Sequence, residues 1–184
     1  MRVCLFEDQH LRSLEPLVLD RPVFALTFGT ATLADRQADY WDATDLGFWV
    51  RPPLASRVRE EWPKHAVNDR QWLRAGPLVM VNARWIPPLQ RQLSQSRCAA
   101  IAEHELAFAW IDASDWTAAN GLEEQLRWWL VSLPRVAAGG RMLKGILDLA
   151  EGHAGEPAPE AVAGPGAKPP PQKATWRDQG RRSA

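Results

Sequence analysis

Cysteine is nearly missing from this chain: Cys4 and Cys98 are the only two in 184 residues. Both sit in apolar surroundings without a C-x-x-C or Cys/His spacing. They read as reduced core thiols, which excludes a disulfide framework and a cysteine-built zinc site. Histidine is sparse too, and His10, His65, His104 and His153 show no H-x-H or H-x-x-x-H spacing to gather a metal. No sign of charge predominates, because 22 Lys and Arg face 22 Asp and Glu, giving zero net charge and a pI near 6.9. The global field that draws a protein to nucleic acid or anionic lipid is therefore absent, and neither partner is expected. No apolar run approaches the roughly 18 residues of a bilayer span. Residues 1–6 are too short for the core of a secretory signal, so the expected location is the cytoplasm. Walker and G-x-S-x-G sequences are also missing.

What is present reads as one ordinary domain followed by a tail. Hydrophobic residues make up 46% of the chain, within the range of globular domains. From Glu151 onward, the last 34 residues contain 6 Pro, 5 Gly and 7 Ala, with Val162 and Trp176 the only large apolar side chains. Such a segment cannot bury enough surface to offset its ordering entropy, so residues 151–184 are expected to be disordered. Residues 1–150 form the domain, large enough for a single core but small for a complete nucleotide-dependent enzyme.

Within that domain, apolar runs at 2–6, 46–50, 78–81, 98–102 and 106–111 predict strands. The last two are joined in hairpin fashion by Glu103, His104 and Glu105. Helical spacing covers 32–41 and 54–62, where Leu54, Val58 and Trp62 form one stripe. Asn120 and Glu123 have the spacing of a capping box, and Leu122, Leu126, Trp129 and Leu133 continue the pattern until Pro134 ends it. Alternating strands and helices predict an α/β three-layer, Rossmann-like domain whose ligands collect at the carboxyl ends of the strands.

Several motifs carry a family resemblance. Ser13-Leu14-Glu15-Pro16-Leu17, then Arg21-Pro22, then Leu33-Ala34-Asp35-Arg36 is similar to the opening of sugar-1-phosphate nucleotidyltransferases. More closely, Phe6-Glu7-Asp8, Arg21-Pro22-Val23-Phe24, Asn68-Asp69, the run from Trp72 to Pro77, Val81-Asn82-Ala83-Arg84 and Gly139-Gly140-Arg141-Met142 resemble a divergent branch of that family. The likeness covers about residues 1–149 and implies a nucleotidyltransferase fold. It also implies transfer of a nucleotidyl group from an NTP to a sugar 1-phosphate with release of pyrophosphate, and Mg²⁺ as cofactor. Members of the branch typically continue into a left-handed β-helix of hexapeptide repeats. No such repeats follow Leu149 here, and a truncated or frameshifted copy is the expected explanation.

The sequence departs from the wider family at three places. Aligning Leu14 and Pro16 with its L-x-P puts residues 7–13 where a glycine-rich turn would lie, yet that stretch has no glycine. Backbone N–H groups then cannot converge on phosphate unhindered by Cβ atoms. Val23 falls at the lysine of the family's Pro-Lys-Pro, and Asn82-Ala83-Arg84 falls where a Gly-Asp would hold Mg²⁺.

Candidate binding residues follow from position and chemistry. Arg12, Arg21 and Arg36 flank the first strand-to-helix turn, where guanidinium groups suit a triphosphate or sugar phosphate. Arginine outnumbers lysine 18 to 4, so composition alone also accounts for them. Asp8, just past the first strand, is placed to orient a ribose, a base or a metal-bound water, or simply to cap a turn. Asn82 and Arg84 end a buried strand, a favoured ligand position and equally a turn position. Trp110, Trp128 and Trp129 are expected in the core, Trp72 and Trp85 are the better stacking candidates, and His104 is expected to be exposed in a hairpin turn. Two rivals to the transferase reading stay open: a non-catalytic domain for nucleotide-sugar binding or assembly, and an inactive fragment.

Overall fold

Strand β1, Arg2–Phe6, sends alternate side chains to opposite sides of a sheet. Val3 and Leu5 enter one core cluster and Cys4 and Phe6 the other. The computed structural model describes residues 1–91, 96–117 and 121–154. Its main sheet adds β2 (Asp45–Trp49), β3 (Ala66–Val67), β4 (Leu78–Asn82), β5 (Cys98–Ala102), β6 (Glu105–Ile111) and β7 (Arg135–Ala137). In space the order is β7-β5-β6-β4-β1-β2-β3. β6 runs antiparallel to both its neighbours, and every other adjacent pair is parallel. This is the α/β domain expected from the sequence. The chain reverses its direction of travel across the sheet between β1 and β4, the kind of switch point where open α/β sheets bind ligands.

Helices cover both faces. On the Val3 and Leu5 side lie α1 (Leu33–Trp41) and α2 (Ala55–Glu61), with Leu33, Trp41 and Val58 fully buried. Thr32 caps α1 in a full capping box with Asp35. The predicted stripe of Leu54, Val58 and Trp62 is buried, although α2 is preceded by a 3₁₀ turn over Pro52–Leu54. On the opposite side lie the single turn α3 (Arg70–Leu73) and α4 (Leu122–Ser132), from which Leu73, Trp129 and Leu133 fill the second cluster. The last helix, α5, runs over Ile146–Ala154 and so takes in the first four residues of the segment expected to be disordered from Glu151.

Several expectations shift. β2 begins and ends one residue earlier than predicted, β4 extends to Asn82, and the short strands β3 and β7 carry too few residues to show a period. Gly121 holds the N-cap position of α4; the expected cap Asn120 lies outside the described residues, as does the predicted tail beyond Ala154. Trp128 is 38% exposed and not in the core, because one helical step separates it from the buried Trp129. Trp85 is buried against Tyr40 and Phe108, and Trp72 is wedged between Gly47 and the Arg2 guanidinium, so neither indole offers a free stacking face.

The hairpin between β5 and β6 is tighter than the predicted trio. Ala102 pairs with Glu105, leaving a two-residue turn of Glu103 and His104, both at positive φ (48° and 71°). That is the backbone a type I′ turn demands. His104 is exposed, as expected.

Candidate functional site

The carboxyl ends of β1 and β4 meet at a cluster built around one buried arginine. Ala83 N–H donates to Phe6 O at 2.8 Å, carrying the ladder one step past the strand ends. Beyond it the Arg84 side chain, 2% exposed, turns back toward β1. Its Nε donates to Asp8 Oδ1 at 2.9 Å and its Nη2 to Asp8 Oδ2 at 2.6 Å, the two-pronged geometry of a strong arginine–carboxylate pair. Nη2 also donates to Glu105 Oε2 at the start of β6, and Nη1 donates to Leu143 O at 2.8 Å.

Asn82 completes the cluster. Its Nδ2 donates to Asp8 Oδ2 at 2.8 Å and to Leu106 O at 3.1 Å, while its Oδ1 accepts from Arg84 N–H at 3.0 Å. Burial by itself pushes the Asp8 carboxyl up. The Arg84 hydrogen bonds and charge, with help from Asn82 and the His10 N–H, outweigh it and hold Asp8 below the usual carboxylate range. Arg84 is correspondingly held above its ordinary value, burial being overcome by Asp8 and Glu105.

Three polar residues around this cluster are not among the sequence candidates. Glu7, its side chain 2% exposed, accepts from Val23 N–H at 3.0 Å and from Arg51 N–H at 3.1 Å, clamping the Arg21-Pro22 segment to the end of β2. Arg51 lies 3.9 Å from Glu7 and donates to Val18 O and Arg21 O. It directly follows Val50 at a strand end, so the strand-end argument used for Asn82 and Arg84 would have found it. Gln37, fully buried on α1, donates to Asn82 O at 2.9 Å and Trp85 O at 2.6 Å. A polar residue spaced four from both Leu33 and Trp41 on an apolar stripe was its signal.

Of the sequence candidates, Asp8, Asn82 and Arg84 come together in this cluster, and Arg12 stands near it. Two joined crevices open above the strand ends and share Asp8, Gln9, Glu123, Leu126 and Arg127 in their walls. The larger, about 770 Å³, is lined by Arg12, Arg51 and Arg127 among others. The smaller, about 200 Å³, has Phe6, Leu106 and Leu130 as apolar wall and Asn82, His104 and Glu105 as polar wall. Arg21 and Arg36 do not line either crevice. Arg21 is exposed and lies 3.4 Å from Asp20, while Arg36 stacks on the Phe28 ring and donates to Phe28 O at 2.8 Å. In place of a glycine-rich turn, residues Gln9–Leu14 form a 3₁₀ helix whose first turn is capped by Asp8.

The resemblance implies Mg²⁺, and the oxygens of this cluster are its nearest donors. Mg²⁺ at a phosphate site is held through one or two carboxylates with open oxygens, water and phosphate filling the rest of its shell. Both Asp8 oxygens and one Glu105 oxygen face the Arg84 guanidinium, and both Glu7 oxygens accept backbone N–H groups. Among the described residues no group of three or more His, Cys, Asp or Glu side chains is gathered for a metal. The carboxylates at the end of β1 therefore do not fit Mg²⁺. Among the described residues, too, no helix is long and apolar enough to cross a membrane.

Comparison with known proteins bears on the fold and the family. No curated protein sequence matches the chain. Among solved structures it is similar to a protein named as a glucose-1-phosphate thymidylyltransferase from Bacillus anthracis, crystallised in complex with sucrose. The two share 12% identity and a TM-score of 0.51 over 84% of this chain and 94% of that one, a likeness of fold. The profile of a family described as sugar nucleotidyl transferase matches residues 3–154, which takes in the sheet from Val3 onward and both crevices, and the chain belongs to that family.

Proposed function

We propose that the crevices above β1 and β4 bind a nucleotide and a sugar phosphate, and that the chain transfers a nucleotidyl group from an NTP to a sugar 1-phosphate, releasing pyrophosphate. The observation that carries this reading is the pair of joined crevices at the strand ends of a sheet belonging to this family: the smaller meets Phe6 and Asn82 at the switch point, and the larger, beside it above β1 and β2, has Arg12, Arg51 and Arg127 in its wall. Nucleotidyl transfer asks for little beyond alignment of the attacking and leaving oxygens and neutralisation of phosphate charge. Guanidinium groups on a rigid sheet edge supply the second. Arg51 is pre-positioned by Glu7 and two backbone carbonyls, whereas Arg12 and Arg127 are exposed. Asp8 borders both crevices, but its two oxygens are taken up by Arg84, Asn82 and the His10 N–H, so it shapes the wall and leaves ligand hydroxyls to other groups.

A second reading, a nucleotide-sugar-binding domain without transferase activity, is favoured by one observation: the acidic group at the end of β1 is committed to Arg84. Pyrophosphate release in a screen of NTPs and sugar 1-phosphates, run with and without MgCl₂, tests the first reading. Release with any pair supports it. A nucleotide-dependent rise in thermal midpoint without release selects the second.

A further inference from the structure

Asp8 and Glu105 arrive at one point from different strands, and two carboxylates brought together at a sheet edge repel each other unless a positive charge lies between them. The oxygens converging there are both carboxylate oxygens of Asp8, Oε2 of Glu105 and the Leu143 carbonyl. Carboxylate and carbonyl oxygens arranged about a single centre are the donor set of a hard divalent cation. At that centre lies the Arg84 guanidinium, delivered by the turn after β4 and closed off from solvent.

We propose that Arg84 is a built-in cation, its guanidinium filling from within the chain a position at the strand ends that would otherwise attract a divalent metal ion. The substitution has definite consequences. A guanidinium cannot exchange with solvent and leaves no open coordination position for a substrate oxygen. Its charge is directed to Asp8 and Glu105 and not outward, so it fixes Asp8 beside the crevice without touching a ligand. Arg84 is thus a positioning residue. Charge neutralisation of a bound phosphate falls to Arg12, Arg51 and Arg127. The inference rests on the cluster alone and stands whether or not the chain transfers nucleotides.

The test is uptake of Mn²⁺ by the full chain, read as loss of the free-ion electron paramagnetic resonance signal. The parent is expected to leave the signal unchanged at millimolar Mn²⁺. Arg84→Met, which keeps an unbranched side chain and removes the charge, is expected to bind about one ion with the roughly millimolar affinity of weak oxygen sites. Adding Asp8→Asn to that variant should abolish the uptake. Asp8-dependent binding of Mn²⁺ by the parent would overturn the proposal, as would a folded Arg84→Met that takes up none. If Arg84→Met is unfolded in metal-free buffer, millimolar MnCl₂ should restore its folded circular dichroism spectrum, and failure to do so also overturns it.

Discussion

Arg84 and Asp8, 76 positions apart in sequence, are joined by two hydrogen bonds of 2.9 and 2.6 Å that tie the end of β4 to the end of β1. The pair lies at the centre of the sheet, and the same guanidinium reaches β6 through Glu105 and the segment before α5 through Leu143. One side chain therefore fastens four parts of the chain at the edge where the crevices open.

Removing that cation leaves Asp8 partly buried beside Glu105 without compensation. Breaking a buried ion pair from one side typically costs about 3–5 kcal/mol. For a domain of this size each kcal/mol moves the midpoint by roughly 2–4 °C. Arg84→Ala is therefore expected to lower the thermal midpoint by about 6 °C or more, with Arg84→Lys recovering part of the loss. Calorimetry checks this, and an unchanged midpoint in Arg84→Ala would show the pair to be dispensable.

The same pair predicts an acid limb. Asp8 has a folded pKa below its unfolded value of about 3.9. Its contribution is then fully present above that value and is lost as pH falls through the folded pKa. Asp8→Asn should be less stable than the parent at neutral pH, and its midpoint should fall less steeply below about pH 4. Parallel curves for parent and variant would place the acid sensitivity elsewhere.

Adjacent tryptophans on α4 should behave differently. Trp129 is fully buried against Trp116, and its Nε1 donates to Asp115 O at 3.0 Å. Truncating such a residue costs about 3–5 kcal/mol. Trp128 is 38% exposed, and Trp128→Ala should cost much less. Urea denaturation of the two variants decides it; equal midpoints would mean that α4 is rotated from the orientation described.

The hairpin tip stores strain that substitution can release. Glu103 and His104 both adopt positive φ, where a side chain costs roughly 1–2 kcal/mol and glycine is at ease. His104→Gly is expected to raise the thermal midpoint by a few degrees. Replacing the adjacent Glu103 removes its ion pair with Lys144 as well, so Glu103→Gly should gain less. A lower midpoint for His104→Gly would contradict the assigned turn.

How much of this was legible in the sequence follows from where the signals are local. The strand at 2–6 and the helix ending at Trp41 carry their period in consecutive residues, and both stand as read, with Thr32 serving as cap. Asp8, Asn82 and Arg84 were marked because each ends or follows a buried strand, and the structure brings those three together. What the sequence could not show is that Arg84 turns inward: that depends on Glu105 and Leu143, which meet it only through the sheet order. Glu7 was hidden for a similar reason, since its two partners, the N–H groups of Val23 and Arg51, are backbone atoms that leave no mark in side-chain chemistry. Trp85, a stacking candidate by its proximity to Arg84, lies in the core because the turn after β4 folds under α1, where Gln37 holds it.

The most direct test of the functional account is calorimetric titration of the full chain with a panel of NTPs and nucleoside-diphosphate sugars, repeated on variants of the crevice wall. A lost charge-assisted contact is worth about 1.5–3 kcal/mol, or roughly ten- to a hundredfold in affinity. The account predicts that the parent binds at least one of these ligands, that Arg12→Ala with Arg127→Ala weakens it at least tenfold without lowering the thermal midpoint, and that Arg21→Ala leaves it unchanged. Failure of every ligand to bind the parent, or undiminished affinity in the doubly substituted variant, would contradict it.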